Sequence, residues 1–225
     1  MIIVFDAYGT LWDVSQIQQE CERFMGKEQA QSFLSLWRQK QLEYAFLRTI
    51  MHQYVPFDQI THEALLYTLQ YFHLSLSAAE QNDLEQAWWN PVAFDDALPA
   101  LNALKSASHH PVILSNGTPL MLQAGVKATQ MQTVLDGVLS VDIIQHYKPH
   151  PDAYNLVVTQ FNRMPSHIVF VSSNGWDIAG ASHFGFYTIW INRLHLPTEE
   201  LGIRPKIITS SLSELPEKLP TLPSE

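Results

Sequence analysis

The chain begins with an apolar, β-branched run that stops at an acidic residue. Residues 2–5 read Ile-Ile-Val-Phe, and Asp6 and a Gly9-Thr10 turn follow them. Such a run is typical of a buried strand, whose carboxyl end would present Asp6 where parallel α/β sheets keep their ligand sites. Asp6 is therefore either a catalytic carboxylate or a residue that caps the following turn.

The hydrophobic period becomes helical between residues 14 and 90. Stretches rich in Gln, Glu and Leu cover residues 32–51 and 61–73, and Ser77 and Glu80 have the spacing of a capping box. This pattern predicts an all-helical insertion directly after the first strand. We expect it to lie above the sheet edge that carries Asp6, where it could cover a site.

Strands and helices alternate after Pro91. The predicted helices cover residues 97–106, 119–129, 151–161 and 178–184, and the predicted strands cover residues 111–115, 138–141, 167–172 and 187–192. This alternation predicts a parallel, right-handed α/β sheet. Three prolines in residues 210–225 predict an irregular surface strap or a disordered end.

Composition and charge narrow the classes of function. The chain has 225 residues, 46% of them hydrophobic, which is enough for one substantial core or for a core with a smaller insertion. The formal charge of −9 disfavours binding to nucleic acid or to an anionic membrane. The apolar runs have strand length, so we expect no membrane span, no signal peptide and a cytoplasmic location. A single cysteine, Cys21, fits a reducing compartment.

Polar residues follow three of the predicted strands. They are Asp6 after the first strand, Ser115 and Asn116 after another, and residues 172–174 after a third. Because the carboxyl ends of parallel strands meet at one edge, we expect these side chains to converge on a crevice. Either Ser-Asn-Gly segment alone could equally be a turn. The ten histidines show no HExxH or other metal-ligand spacing.

Several motifs resemble those of one enzyme family. Residues 6–11, Asp-Ala-Tyr-Gly-Thr-Leu, resemble the first motif of the haloacid dehalogenase superfamily, in which the leading Asp is a covalent nucleophile. Further motifs resemble the metal-independent L-2-haloacid dehalogenases: residues 37–44, residues 114–117, residues 147–149 with Tyr154, and residues 171–177. The resemblance covers almost the full length of the chain.

The resemblance implies a fold and its division into domains. We expect an α/β fold in which a Rossmann-like parallel sheet core domain, residues 1–13 and 91–225, carries an inserted helical cap domain, residues 14–90. It also favours a homodimer. The apolar cap residues Leu65, Leu66, Leu69 and Phe72 could pack within their own domain or form the dimer contact.

Two departures from the phosphatases of the superfamily indicate the reaction. Those enzymes carry a second Asp two residues after the first, as acid and base, and this chain has Tyr8 there. At the later strand end, residues 171–174 are neutral, which leaves Asp177 as the only carboxylate. A halide leaves unprotonated whereas an alkoxide must be protonated, so this site suits carbon–halogen displacement. We therefore expect neither a metal ion nor another cofactor.

The resemblance implies hydrolysis of short L-2-haloalkanoic acids to D-2-hydroxyalkanoic acids through an aspartyl ester, with inversion at C2. In this reaction Asp6 attacks, Arg38 accepts the halide and Lys148 keeps Asp6 ionised. The implied catalytic residues are Asp6, Thr10, Arg38, Ser115, Lys148, Tyr154, Ser172, Asn174 and Asp177. The implied substrate-binding residues are Ala7, Tyr8, Arg38, Gln39, Leu42, Phe57, Ser115, Asn116 and Trp176.

Some roles have plain structural alternatives. Lys148 and Arg38 could be solvated surface cations, and Phe57 could belong to the core. Asp177 could accept a proton from water or only pair with Lys148. A Mg²⁺-dependent phosphatase or phosphomutase of the same superfamily, or a non-catalytic binding protein on the same scaffold, remain the competing interpretations of the whole chain.

Overall fold

A parallel sheet forms the centre of the fold in the computed structural model, which describes residues 1–219. Within that range the strands are β1 (Ile2–Phe5), β2 (Trp12–Asp13), β3 (Val92–Ala93), β4 (His110–Ser115), β5 (Gly137–Ser140), β6 (Ile168–Ser172), β7 (Tyr187–Ile191) and β8 (Ile207–Thr209). Six strands form one sheet in the order β5-β4-β1-β6-β7-β8, and every neighbouring pair is parallel. The prediction of a parallel α/β sheet is confirmed.

Helices connect the strands and cover the sheet. In the described residues they are α1 (Ile17–Met25), α2 (Lys27–Ile50), α3 (Phe57–Tyr71), α4 (Ala78–Trp89), α5 (Ala97–Ser106), α6 (Pro119–Ala128), α7 (Pro151–Phe161), α8 (Gly175–Phe184) and α9 (Leu215–Lys218). Short 3₁₀ turns cover Val14–Gln16, Val141–Ile143, Pro165–His167 and Leu212–Glu214. None of the described helices is both long enough and apolar enough to cross a membrane.

Strand β1 lies in the middle of the sheet, between β4 and β6, and it carries an unbroken apolar run because both of its faces are covered. Ile3, Val4 and Phe5 are fully buried. In the register, Phe5 pairs with Ile113 on one side and with Val171 on the other. The residues that follow these three positions therefore share one edge of the sheet, and they include the first acidic residue of the chain.

Four helices, α1 to α4, lie between β2 and β3, which pair antiparallel with each other. Their packing is aromatic: the fully buried Trp37 on α2 meets Phe33 and Trp88 edge-on, with ring centroids 6.2 and 5.6 Å apart. Helix α4 begins with the predicted capping box, in which Ser77 and Glu80 bond each other's backbone N–H. Leu65 and Leu69 are buried, whereas Leu66 is exposed.

The structure differs from the sequence-based prediction in a few elements. Helix α2 starts five residues before the predicted start, and the strands β2, β3 and β8 were not predicted. The segment after residue 210 was expected to be irregular surface, but it contains α9, and Leu212 and Leu215 are fully buried. Those two leucines anchor the segment in the core. The prolines around them suggested an irregular segment instead. The prediction for residues 220–225 lies outside the described residues.

Candidate active site

Asp6 is held at the carboxyl end of β1 by donors on both of its oxygens. Its backbone N–H donates to the carbonyl of Val171 at 3.0 Å, which fixes the chain at the sheet edge. Lys148 Nζ donates to Asp6 Oδ1 at 2.8 Å, while Thr10 Oγ1 and Asn174 Nδ2 donate to Oδ2 at 3.1 and 2.8 Å. With three donors and 5% exposure, the carboxyl group is buried and its orientation is fixed by its partners.

Lys148 is fully buried and bridges two carboxylates. Its Nζ lies 2.8 Å from Asp6 Oδ1 and 2.6 Å from Asp177 Oδ2, and it also donates to the carbonyl of Leu114 at 3.1 Å. Burial acts to lower the pKa of Lys148, but the charges of Asp177 and Asp6 outweigh it and raise that pKa above its ordinary value. Lys148 is thus a fixed cation and not a solvated loop lysine.

Asp177 lies in the first turn of α8 and is fully buried. The hydroxyl of Tyr154 donates to Asp177 Oδ1 at 2.8 Å, and Lys148 holds the other oxygen. Burial raises the pKa of Asp177 to about 6, against the opposing pull of Lys148. A carboxylate with that pKa is ionised at neutral pH and can still accept a proton.

Thr10 and Ser172 connect the two loops that face Asp6. The backbone N–H of Ser173 donates to Thr10 Oγ1 at 2.8 Å, so the single hydroxyl proton of Thr10 is free to point at Asp6. Ser172 Oγ accepts from the backbone N–H of Asn174 at 3.1 Å. These bonds orient Asn174, whose amide donates to Asp6 Oδ2.

The face opposite the sheet is supplied by α2. Arg38 Nη1 donates to the neutral Oε1 of Gln41 at 3.3 Å, and the guanidinium carbon lies 5.5 Å from the ring centroid of Trp88. Gln41 is itself fixed, because its Nε2 donates to Thr61 Oγ1 at 2.9 Å. Burial lowers the pKa of Arg38, and the charge of Asp6 opposes that shift. The guanidinium is thus a partly buried cation whose described hydrogen-bond partner is a neutral amide.

Tyr8 is buried beside these groups, and its proton is already engaged. Its hydroxyl donates to the backbone carbonyl of Trp88 at 2.8 Å, and its ring meets Trp12 edge-on at 5.0 Å. Burial raises the pKa of Tyr8 well above its ordinary value. Tyr8 therefore acts as a neutral wall here and not as an acid or a base.

These groups enclose a narrow cavity between the sheet edge and the helices α2 and α3. The volume open to the centre of a water-sized sphere is about 10 Å³, which is room for about one water molecule. The lining residues are Asp6, Tyr8, Arg38, Leu42, Phe57, Ser115, Asn116, Lys148 and Trp176. The cavity combines two cations and one anion with an otherwise neutral wall, which suits a small anionic organic molecule.

Most of the predicted site residues come together in or directly behind this cavity. Tyr154, Ser172, Asn174, Thr10 and Asp177 form the layer of hydrogen bonds behind it. The backbone carbonyl of Ala7 accepts bonds from residues 10–12 and so shapes the turn after Asp6.

Gln39 differs from the other predicted site residues. It is exposed on α2 and does not line the cavity, because one residue turns a helix by about 100° away from Arg38.

Gln41 and Trp88 are functional neighbours that the sequence did not indicate. Both contact Arg38, one through a hydrogen bond and one through its ring face. The three-residue spacing of Arg38 and Gln41 on one helix could have identified Gln41, since such pairs share a face. Trp88 lies 50 residues away along the chain, and no local signal connects it with Arg38.

The sequence also missed a group of potential metal ligands outside the cavity. His146, His150 and Asp152 offer ligand atoms that all lie within 4.8 Å of one another. These residues lie on a loop and in the first turn of α7, and their order along the chain follows neither the HExxH nor the zinc-finger spacing that a sequence pattern would identify.

Comparison with known proteins identifies the family. Residues 1–185 match the family model described as haloacid dehalogenase-like hydrolase. The chain belongs to this family.

Two similar proteins are named as (S)-2-haloacid dehalogenases. The (S)-2-haloacid dehalogenase 4A of Burkholderia cepacia is 44% identical over 213 residues, which cover 94% of this chain and 91% of that protein. The (S)-2-haloacid dehalogenase 1 of Pseudomonas sp. (strain CBS-3) is 43% identical and covers 96% of this chain and 95% of its own. The resemblance to L-2-haloacid dehalogenases inferred from the motifs is therefore confirmed.

A solved structure shows the same fold with a bound molecule. The L-2-haloacid dehalogenase from Xanthobacter autotrophicus with chloropropionic acid covalently bound has a TM-score of 0.90, is 36% identical and covers 96% of each chain. The predicted Rossmann-like α/β architecture thus agrees with a solved member of the family.

Proposed function

We propose that this protein hydrolyses short L-2-haloalkanoic acids to D-2-hydroxyalkanoic acids and halide. The observation that carries the proposal is that Asp6, at the end of β1, and Arg38, on α2, line the same small cavity. A nucleophile and a halide acceptor are thereby placed around the same small space. The names of the relatives at 43–44% identity support this choice of substrate.

In the first step a carboxylate oxygen of Asp6 attacks C2 of the substrate. The new C–O bond forms as the C–halogen bond breaks, and the halide leaves with the bonding electrons toward Arg38. Because the guanidinium bonds a neutral amide and not a carboxylate, it can stabilise charge as that charge develops on the halogen. A proton is not required at this stage, which agrees with the neutral Tyr8 two residues after Asp6.

The substrate carboxylate repels the attacking carboxylate. Two unit charges about 4 Å apart repel by roughly 4 kcal/mol at an effective dielectric constant near 20. Lys148 offsets this repulsion from a distance of 2.8 Å to Asp6. Ser115 and Asn116 line the cavity and supply polar groups for the substrate carboxylate, and Asn116 is oriented by the backbone N–H of Lys148 at 2.9 Å.

In the second step water attacks the carboxyl carbon of the Asp6 ester. Asp177 accepts a proton from that water and returns it to the alkoxide oxygen as the acyl C–O bond of the ester breaks. The hydroxy acid therefore leaves with an oxygen that came from Asp6, and the Asp6 carboxyl releases its own proton to solvent. Lys148 bonds both carboxylates, so it stays next to the negative charge throughout. A single inversion at C2 converts the L-substrate to the D-product.

The test is halide release from L- and D-2-chloropropionate, offered separately in the presence of EDTA. We expect release from the L-enantiomer alone, because inversion by one fixed nucleophile accepts one configuration. Equal release from both enantiomers, or release that requires added Mg²⁺, would contradict the mechanism. Hydrolysis of phosphate esters with Mg²⁺ and no dehalogenation would indicate a phosphatase instead.

Exchange of Asp6 for Asn removes the attacking oxygen. We expect loss of turnover with the fold retained, as checked by halide release and circular dichroism on protein shown to be free of deamidation. A single turnover of the unaltered protein in ¹⁸O-water should place the label in Asp6 and not in the product. Label found only in the hydroxy acid would mean that water attacks the substrate directly.

We further propose that residues 14–90 form a cap domain on a core of residues 1–13 and 91–225, and that catalysis proceeds without a metal ion or another cofactor. The antiparallel pairing of β2 with β3, where the chain enters and leaves the helical segment, supports these boundaries. We also infer a cytoplasmic homodimer. Exposed apolar side chains on α2 and α3, among them Ile50, Leu66 and Tyr71, support a dimer contact there.

A further inference from the structure

A second cluster of ionisable groups lies outside the cavity, on the loop that follows Lys148. His146 Nδ1 lies 2.9 Å from Asp152 Oδ2, and His150 Nδ1 lies 3.5 Å from the same oxygen. The two imidazole ring centroids are 4.3 Å apart. All three side chains are partly exposed, so an ion can reach them from solvent.

The three ligand atoms lie near the spacing of ligands around a small divalent cation, within 4.8 Å of one another. Zinc binds histidine nitrogen and carboxylate oxygen at about 2.0–2.2 Å, which places neighbouring tetrahedral ligands about 3.3–3.5 Å apart. The His150 distance of 3.5 Å lies in that range, and the His146 distance of 2.9 Å is shorter. One ion would separate His146 from Asp152 and take the place of the Asp152 N–H at His150 Nδ1.

We propose that His146, His150 and Asp152 form a binding site for a divalent transition-metal ion, with Zn²⁺ as the representative ligand. Two imidazoles and one carboxylate favour zinc-like ions over Mg²⁺, which prefers oxygen ligands and retains its water. Water would complete the coordination. The site is separate from the dehalogenation chemistry, since none of its three residues lines the cavity.

The position of the site gives a bound ion a structural consequence. His146 precedes Tyr147, whose backbone N–H is held in place because it donates to Thr49 Oγ1 on α2 at 3.1 Å. The ring of His52, just beyond α2, lies 6.3 Å from that of His146. A metal ion would thus tie the ends of the loop that carries Lys148, next to its contact with the helical segment, and would stabilise the native state.

The experiment is calorimetric titration of the EDTA-treated, dialysed protein with Zn²⁺, together with thermal unfolding at the same metal concentrations. We expect one ion per chain and an unfolding midpoint that rises with Zn²⁺. Mg²⁺ at the same concentration should produce neither effect. Because binding is measured directly, this result does not depend on whether the protein is a dehalogenase.

The variants separate the site from other surface histidines. His150 caps α7, as its Nδ1 accepts from the N–H of Asp152 at 3.3 Å, so His150→Asn keeps a capping side chain while removing the imidazole. We expect His150→Asn and His146→Gln each to weaken Zn²⁺ binding by about tenfold or more. The control His110→Ala should leave binding unchanged, because His110 pairs with Asp136 elsewhere on the surface.

Three results would overturn the proposal. They are the absence of one-to-one binding in the unaltered protein, unchanged Zn²⁺ affinity in both His146→Gln and His150→Asn, and an equal loss in His110→Ala. The first would mean that the cluster is an ordinary histidine–aspartate ion pair. The other two would mean that Zn²⁺ binds elsewhere on the chain.

Discussion

Two neighbours of Asp177 lower its pKa, whereas its burial raises that pKa. Lys148 holds one oxygen at 2.6 Å, and the Tyr154 hydroxyl donates to the other at 2.8 Å. Burial nevertheless raises the pKa of Asp177 to about 6. In the proposed hydrolysis Asp177 must be ionised, so turnover should fall as the pH falls through about 6.

Tyr154→Phe tests this assignment. Removing the hydroxyl takes away a donor that lowers the pKa of Asp177, so the acidic limb of the kcat profile should move to higher pH. The measurement is kcat against pH for halide release, with Tyr71→Phe, an exposed tyrosine on α3, as the control. An unmoved limb in Tyr154→Phe would mean that Asp177 is not the group that titrates.

Gln41→Leu tests how Arg38 is oriented. The change removes the acceptor of Arg38 Nη1 and the bond to Thr61, so the guanidinium loses its fixed position. Since misplacement by about 1 Å can cost about a hundredfold, we expect kcat to fall by about ten- to a hundredfold. Gln31→Leu, at an exposed position on the same helix, serves as the control. Equal kcat in both variants would remove Gln41 from the mechanism.

Some residues of the candidate site could be located from the sequence, and others could not. Asp6, Ser115 and Ser172 lie near one another, as expected, because each stands at or directly after the carboxyl end of a strand, and these ends share one edge of a parallel sheet. Gln39 was misjudged as a pocket residue, since adjacent positions on a helix face different directions. Trp88 was missed because its contact with Arg38 depends on how α4 packs against α2, which no local pattern encodes.

Among the elements, α8 approaches the loop at Pro149 and helix α7 more closely than a side chain would allow. A Cβ added at Gly180 would lie 2.5 Å from the Tyr154 hydroxyl oxygen and 2.6 Å from Pro149 Cβ. Only glycine permits this approach, which also brings Asp177, on the same helix, within reach of Tyr154 and Lys148. Position 180 thus controls the alignment of the hydrolytic groups.

We therefore expect Gly180→Ala to destabilise the fold by about 1–3 kcal/mol, as overpacking typically does, and to lower kcat. Chemical denaturation and halide release are the measurements. In the double variant Gly180→Ala with Tyr154→Phe, the loss of stability should be smaller than the sum of the single losses, because the contact with the hydroxyl is gone. If the two losses in the free energy of unfolding simply add, an alanine at position 180 does not clash with the Tyr154 hydroxyl.

The elements that were predicted well are those with strong local signals. Helices α5 and α7 match the predicted ranges 97–106 and 151–161, since apolar periodicity defines both and Pro151 begins α7. The two-residue strands β2 and β3 are too short to show a period. Strand β8 and the anchored leucines after it gain their structure only from the sheet edge and core that they cover.

Across the described part of the molecule, five of the fifteen large hydrophobic side chains that are exposed lie on α2 and α3. Ile50 and Tyr71 are 73% and 62% exposed there, and Leu66 is 38% exposed. In the proposed homodimer these side chains are removed from water by a second copy of the chain, which gives the contact its driving force.

Charged substitutions on α2 and α3 test the proposed homodimer. The double variant Ile50→Glu with Leu66→Glu should be monomeric, because the introduced carboxylates would have to be buried together. Light scattering coupled to size-exclusion chromatography gives the mass of each form. Met164→Glu introduces a carboxylate at an exposed position outside α1 to α4, and it should leave the mass unaltered. A dimer that survives the double variant must use another surface.

The paired strands β2 and β3 have a consequence for how such proteins diversify. They bring the chain out of the sheet and back at neighbouring positions, with Trp12 opposite Ala93 and Asp13 opposite Val92. A segment joined at two adjacent points can be exchanged without stretching either junction. In the proposed division into core and cap, exchange of the stretch between them would leave the proposed nucleophile on the sheet and bring a different leaving-group acceptor and a different choice of acid.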